Sequence, residues 1–490
     1  MSAGTDNIFL SCRKGDLARI QYLVEKKEID LNIRDCWDST PLYYACHCGH
    51  LEVVRYLLAN GARCEENTFD GERCLYGALT NEIKRILLES KIANMGTQRR
   101  DDFDEFCEKL LTAEDYSDFT LRLRDNKVFK LHRCVLSARS PGLNSLLAGK
   151  WRDLNDVTNN LIDPKVFEDF VKFLYTGKLK CTRDQVDDMK QLAKRCRVQN
   201  MVSQLEHVMV QSVSFERSKT NIKVTTLVLD TPLTKQTLQD DFCAVIDTGI
   251  EEVFAREPFL RFNYTTFDED EGCGEEEEEG LETYNDICLK VEGTRFYCNK
   301  VFLCTRSAYF QALLEDYFDE YHETCNTLPV INLRDVSASV ISCVLYYIYT
   351  NLPHTLNEDI VFDVLEISDI YLLPGLKKHC GIFLCNMVSR DNVIELLAIA
   401  RLRDIVRLED RCADYLADNI VVFVEDETFH AFIMEDAQQV ECRQETDSIP
   451  IIDDIRYHIT SQVASFAELE ESQEKLRLID KLLDDLGLEA

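Results

Sequence analysis

Between residues 8 and 88 the apolar positions fall into short runs spaced three and four apart and punctuated by Gly and Thr-Pro, which predicts paired short helices. Thr40-Pro41 opens one helix. Leu42, Ala45, Val53, Val54, Leu57 and Leu58 supply the apolar faces of two helices, Gly49 makes the turn between them, and Gly61 ends the second by tolerating a left-handed backbone. Shifted by 34, Cys12, Gly15, Leu17, Tyr22 and Leu23 recur as Cys46, Gly49, Leu51, Tyr56 and Leu57. A third unit is weaker. Leu75 and Ala78 stand 33 after Leu42 and Ala45, but the turn before Ile83 to Leu88 is about three residues short, as suits the terminal cap of a stacked array.

A longer repeat follows at an offset of 167 to 174. Asp118-Phe119-Thr120-Leu121-Arg122-Leu123 alternates like a half-buried strand; His132 to Ser140 and Phe170 to Gly177 then read as helical. The second copy runs from Asp286 to Val291, from Asn299 to Ser307 and from Val344 to Asn351. Between the copies, residues 209–283 carry one patterned piece, Ile222 to Leu229, a predicted strand. Asp268 to Glu271 and Glu275 to Glu279 then form a like-charge block, expected to be a disordered spacer. Beyond the second copy, Asn392 to Ala400 and Leu408 to Leu416 have helical spacing. A last helix is expected from Ile455 to Leu488, packed on the body rather than forming an intermolecular coiled coil.

These motifs resemble known modules. Thr40 to Ala62 is similar to an ankyrin repeat nearly position for position. Each long block resembles a BTB/POZ domain, with an aspartate before the first strand, His-x-x-x-Leu before a helix, and aromatic-Leu-Tyr-Thr-Gly closing another. The second copy departs at Asn299 and Asn351, where the first has His132 and Gly177. The helices after it resemble the BACK-type extension of ubiquitin-ligase adaptors. The order of modules is similar to that of the ankyrin repeat and BTB/POZ domain-containing family, and the runs Trp37 to Cys46 and Gln444 to Pro450 resemble one member in particular. The expected fold is therefore multidomain, helix-rich α+β: ankyrin repeats over 1–96 (two clear plus a cap), a connecting helix over 97–114, BTB domains over 115–208 and 284–387 around the 209–283 linker, BACK-like helices over 388–440, and a C-terminal helix over 441–490.

Composition narrows the partners. The 490 residues hold 55 Lys plus Arg against 88 Asp plus Glu, a net charge of −33 that repels phosphate backbones and anionic lipid, so neither nucleic acid nor membrane is an expected partner. The 21 cysteines are odd in number and irregularly spaced, and the N-terminus lacks a signal-like pattern, so a reducing, cytoplasmic setting is expected. No run reaches the roughly 18 to 20 apolar residues of a membrane span.

No phosphate-binding, dinucleotide-binding, zinc-protease or nucleophile-elbow motif occurs, so no catalytic site and no cofactor is expected. Cys46-His47-Cys48-Gly49-His50 invites a metal, but residues two apart on a helix point to opposite sides. His132 lacks a neighbouring nucleophile and matches a structural histidine, while Cys134, Cys304 and Cys412 sit among apolar neighbours as core residues.

The resemblance implies one binding motif. In BTB adaptors that grip a cullin scaffold, a bulky apolar residue, any residue and then Glu follow the helix that begins at the Arg-Ser element. Counted from Ser307, that is Phe318-Asp319-Glu320; counted equally from Ser140, it is Trp151-Arg152-Asp153. The resemblance thus implies a non-enzymatic scaffold, a substrate adaptor of a cullin-RING ubiquitin ligase in degradation and growth-suppressive signalling. Ankyrin residues Trp37, Asp38 and Tyr44 are the expected client contacts, and translation elongation factor one alpha is a candidate client. The alternative is a BTB-mediated corepressor scaffold. The BTB copies are expected to pair either within one chain or between chains.

Overall fold

A computed structural model describes residues 8–488 apart from 28, 65–67, 94–100, 219–223, 252, 256–280, 317–323, 326–327, 442–448 and 462–465. It divides into two compact units, residues 1–376 and 377–490.

Three helical hairpins open the first unit: α1 (Ile8–Lys14) with α2 (Leu17–Glu25), α3 (Pro41–Cys48) with α4 (Leu51–Ala59), and α5 (Phe69–Gly77) with α6 (Asn81–Ala93). Thr40 caps α3 by accepting from the Tyr43 amide at 3.3 Å, Pro41 takes the first turn where its missing N–H costs nothing, and Gly49 ends the helix at φ +84°. The third hairpin is in a different register from the one expected. Its buried Gly71, Cys74, Ile83 and Leu87 stand 29 residues, not 33, after the buried Leu42, Ala45, Val54 and Leu58. The shortening therefore falls in the loop before Thr68 rather than between the two helices, because the buried faces that stack on the second hairpin are kept.

The first long repeat comprises α7 (Asp102–Thr112), β1 (Phe119–Leu123), β2 (Val128–Leu131), α8 (Arg133–Arg139), α9 (Pro141–Ala148), β3 (Asp156–Asn159), α10 (Pro164–Thr176), β4 (Leu179–Thr182), α11 (Val186–Arg195) and α12 (Gln199–Ser218). Residues 209–218 and 224–247 do not belong to a spacer: α12 runs on to Ser218, β5 (Thr226–Leu229) pairs antiparallel with β4, and α13 (Pro232–Asp247) follows. The acidic block lies outside the described residues. The second repeat comprises β6 (Ile287–Val291), β7 (Thr294–Cys298), α14 (Lys300–Arg306), α15 (Ala308–Asp316), β8 (Thr324–Cys325), β9 (Leu328–Asn332), α16 (Ala338–Thr350) and α17 (Val361–Ile370). The sheets correspond: β1 lies antiparallel to β2 and parallel to β3, with Leu121 opposite Val157, while β6 lies antiparallel to β7 and parallel to β9, with Leu289 opposite Ile331.

The second unit is helical. Beyond α18 (Pro374–Met387), it contains α19 (Val393–Leu402), α20 (Val406–Asp418), α21 (Ile420–Phe423), α22 (Glu427–Glu441), α23 (Pro450–Ser461) and α24 (Phe466–Leu486). Buried Asp436 pairs with Arg401 at 2.6 Å and accepts from the Ile451 amide at 2.9 Å, tying α22 to α19 and α23. The single last helix expected from Ile455 is two helices, α23 and α24, which pack on each other; α24 also packs on α21. An apolar face turned inward on the unit's own helices explains why its spacing approaches seven only near the end.

Candidate interaction surfaces

The two long repeats pair within the chain, and each lends its leading helix to the other. Helix α7 packs on α10 of its own copy and on α14 of the second, and α13 packs on α16 and on α8 of the first. Phe302 is where both meet: Phe106 lies 6.0 Å away, Phe242 lies edge-on at 5.1 Å, and Tyr349 stacks at 4.2 Å. The arginines of the two Arg-Ser elements cross in the same way. Arg139 donates to the Leu174 carbonyl at 2.8 Å and pairs with Asp241 of α13, while Arg306 donates to the Asp102 carbonyl of α7 and to the Tyr347 hydroxyl, both at 2.8 Å.

The residues at which the copies differ do the same work. The Tyr175 hydroxyl accepts from the His132 amide at 2.9 Å and donates to Nδ1 at 2.9 Å, leaving Nε2–H to donate to the Ala113 carbonyl at 3.1 Å. In the second copy the Tyr349 hydroxyl accepts from the Asn299 amide at 2.8 Å and donates to Oδ1 at 3.1 Å, and Nδ2 donates to the carbonyls of Thr283 and Tyr284. An asparagine amide thus reproduces the acceptor and donor of a neutral imidazole, and His132 is structural. Burial lowers its pKa to about 4, outweighing the Ala113 bond. Gly177 and Asn351 both end a helix in the left-handed region, at φ +67° and +64°, where glycine and asparagine are the residues best tolerated. Asp118 and Asp286 each accept from the first amide of the next helix, at 2.8 and 2.7 Å; burial raises both, Asp286 to about 6.

Trp151 is half-buried, stacked on Phe119 at 5.7 Å. The Arg133 guanidinium holds its loop by donating to the carbonyls of Trp151 and Arg152 at 3.3 Å and of Leu154 at 2.6 Å. Phe318, Asp319 and Glu320 lie outside the described residues. The residues matching Phe119 and Arg133 in the second copy are Ile287 and Lys300, which supply neither the aromatic stack nor the forked donor.

Of the three expected client contacts, Trp37 is the most exposed, with the Arg13 guanidinium 5.9 Å from the centre of its ring. Trp37 is 67% exposed at a turn whose Asp35 carboxylate accepts from the amides of Trp37 and Ser39 and from the Tyr44 hydroxyl at 2.5 Å. Burial alone pushes the Asp35 carboxyl up, but these bonds and Arg13 hold it below its ordinary range. Tyr44 is thereby occupied, with Arg13 over its ring at 4.0 Å. Asp38, at φ +57°, lies 3.2 Å from Arg34.

The ankyrin-like hairpins dock on the first copy, which no local pattern signals. Arg63 pairs with Asp230 and lies 3.9 Å from Asp104, Lys178 reaches Asp104 at 2.5 Å, and Phe69 meets Phe215 edge-on at 5.4 Å. The cleft alongside encloses about 160 Å³.

Among the described residues no cluster of His, Cys, Asp and Glu suits a metal, and no helix is long and apolar enough to cross a membrane. Cys46 is buried and Cys48 half-buried on α3, and His50 Nε2 donates to the Arg13 carbonyl at 2.9 Å, bracing the first hairpin. Cys134, Cys304 and Cys412 are buried; burial pushes Cys412 up to about 12 and Cys134 well above its ordinary value, so neither thiol is poised as a nucleophile.

Comparison with known proteins agrees with this architecture. The model for ankyrin repeats (3 copies) matches residues 4–99, and the BTB/POZ model matches residues 107–213 and 276–388. A BTB/POZ domain-containing protein 3 of Schizosaccharomyces pombe is 27% identical across 98% of this chain and 89% of its own length. An ankyrin repeat-containing protein of Saccharomyces cerevisiae is 25% identical across 94% of this chain and 90% of its own. Kelch-like protein 40a of Danio rerio is 26% identical over 38% of this chain and 30% of its own. Both module types are interaction domains, and their succession, with two BTB copies paired in one chain, makes this an ankyrin repeat and BTB/POZ domain-containing protein.

Proposed function

We propose that the chain is a substrate adaptor of a cullin-RING ubiquitin ligase, acting in the cytoplasm in growth-suppressive protein turnover. The second BTB domain grips the cullin through Phe318 and Glu320, and the ankyrin face, with Trp37 at its tip, takes the client. One observation carries the assignment to the second copy. In the first, Trp151 is spent on its own domain, stacked on Phe119 with its loop clamped by Arg133, whereas the second has Ile287 and Lys300 at those positions and keeps the complete apolar-x-Glu pattern. The resemblance of the helices after the second copy to a BACK extension supports the same choice.

An adaptor of this kind does no chemistry itself. It raises the effective concentration of a client lysine near a charged conjugating enzyme, as joining two binding sites on one body does. Translation elongation factor one alpha is the candidate client to test first. Co-purification of the full chain tests the function: cullin and ubiquitin-conjugating components are the expected companions, and histone-modifying corepressors in their place would overturn the assignment.

A further inference from the structure

Arg13, near the end of α1, is held more loosely than Arg34 and Arg73 beside it in the ankyrin repeats. Arg34 bonds both oxygens of Asp70, at 3.1 and 2.5 Å, and Arg73 donates to the Asp38 carbonyl at 2.8 Å and to the Ser39 hydroxyl at 3.0 Å. No described residue accepts a hydrogen bond from the Arg13 guanidinium. It lies over the Tyr44 ring at 4.0 Å, 5.9 Å from the centre of the Trp37 ring and 4.0 Å from the Asp35 carboxylate, with its side chain 42% exposed. The groups around it are fixed without its help. Asp35 accepts from the Trp37 amide at 3.0 Å, the Ser39 amide at 2.9 Å and the Tyr44 hydroxyl at 2.5 Å, and Arg73 grips the backbone of the same turn.

Two aromatic rings and a carboxylate around one point attract a cation, since each ring face is negative and indole gives the strongest such attraction. A guanidinium suits them better than an ammonium, because it is planar, stacks on rings and is less tightly hydrated. Arg13 itself shows that a guanidinium is accommodated. Its hold is slight: an ion pair at 4.0 Å that is partly open to solvent contributes little, and none of its N–H groups is spent on a protein acceptor. An incoming guanidinium can take its place and also use the open face of Trp37, which is 67% exposed. The net charge of −33 favours the approach of a cationic segment.

We propose that Trp37, Tyr44 and Asp35 form a binding site for an arginine side chain of the client, with Arg13 as an internal occupant that the incoming guanidinium displaces. The proposal rests on the reading of the ankyrin face as the client-binding module and names the chemistry by which that face selects.

Fluorine NMR of the full chain labelled with fluorotryptophan tests it, because the chain has only two tryptophans and Trp151→Phe identifies the resonance of Trp37. The probe is acetyl-Gly-Arg-Gly amide, compared with the same peptide carrying citrulline, which keeps the shape of arginine and lacks its charge. The arginine peptide should move the Trp37 resonance at millimolar concentration, and the citrulline peptide should not. Arg13→Ala should bind the arginine peptide at least about threefold more tightly, since a competitor held by an exposed cation–π contact is gone. Arg13→Gln, which keeps a long polar side chain on α1, should tighten binding too. A Trp37 resonance indifferent to the arginine peptide, an equal response to citrulline, or unchanged or weaker binding by either Arg13 variant overturns the proposal. Selection of random displayed peptides on the full chain separates the two readings. Selected peptides that lack arginine yet lose binding on Trp37→Ala overturn the arginine site and leave the ankyrin reading intact. If no selected peptide depends on Trp37, that reading falls as well.

Discussion

Replacing His132 by Asn, the residue that stands in its place in the second copy, should make the first BTB domain less sensitive to acid. Burial holds the His132 pKa at about 4 against 6.5 for a free imidazole, because a charged ring loses its hydration there and the bond to the Ala113 carbonyl does not make up for it. The unfolded chain takes up this proton near pH 6.5 and the folded chain only near 4. The stability tied to the neutral ring is therefore complete above pH 6.5 and is lost as the pH falls from there toward 4. A shift of that size corresponds to about 3 kcal/mol in all, with about 2 kcal/mol gone by pH 5. Asp286, raised to about 6 by burial, acts in the opposite sense: its contribution is fully present below its ordinary 3.8 and is lost as the pH rises through about 6. It is the same in parent and variant, so it cancels in the comparison. Urea unfolding followed by tryptophan fluorescence reports the right domain, since Trp37 is 67% exposed and Trp151 is stacked inside the first copy. Between pH 7.5 and 5 the parent should lose about 2 kcal/mol more than His132→Asn, whatever the variant's stability at pH 7.5. Equal losses in the two proteins would refute the reasoning.

The crossed arginine gives a second expectation: Arg139→Ala leaves the half-buried Asp241 carboxylate and the Leu174 carbonyl without their shared donor and should cost roughly 1–3 kcal/mol, read by chemical denaturation, with Arg139→Met/Asp241→Leu recovering most of it. Gly177→Ala should cost roughly 1–2 kcal/mol, since its Cβ meets the Thr234 carbonyl at 3.2 Å in a left-handed backbone, and Gly177→Asn should lower the melting temperature by less. Because the BTB faces are paired within the chain, sedimentation equilibrium at micromolar concentration should give a species of 56.7 kDa; twice that mass would require pairing between chains.

Much of this was legible in the sequence because it is local or repeated. The correspondence of Asp118 with Asp286 and of His132 with Asn299 follows from offsets of 168 and 167, whereas the work Asn299 does in place of the histidine is seen only in its hydrogen bonds. Asn351 for Gly177 departs from the family pattern yet keeps the backbone conformation that the helix end needs. Helix α13 was hidden for a physical reason. It is buried from two sides, by α8 and α16, so its apolar residues do not form one clean stripe. A signal was there nonetheless: Thr231-Pro232 opens it as Thr40-Pro41 opens α3, and Leu238, Phe242, Val245 and Ile246 follow at helical spacing. The ankyrin–BTB junction was not legible, since it joins Arg63 to Asp230 and Phe69 to Phe215 across more than a hundred residues, and nothing in either neighbourhood names the other.

The central claim is that the second BTB domain, not the first, holds the cullin. Titrating a cullin N-terminal region against the full chain and two variants tests it directly. Phe318→Ala should weaken binding at least about thirtyfold, the loss of an aromatic anchor of roughly 2 kcal/mol, while Trp151→Ala should bind like the parent once its lower stability is allowed for. Undiminished binding by Phe318→Ala would contradict the account, most sharply if Trp151→Ala is the variant that fails.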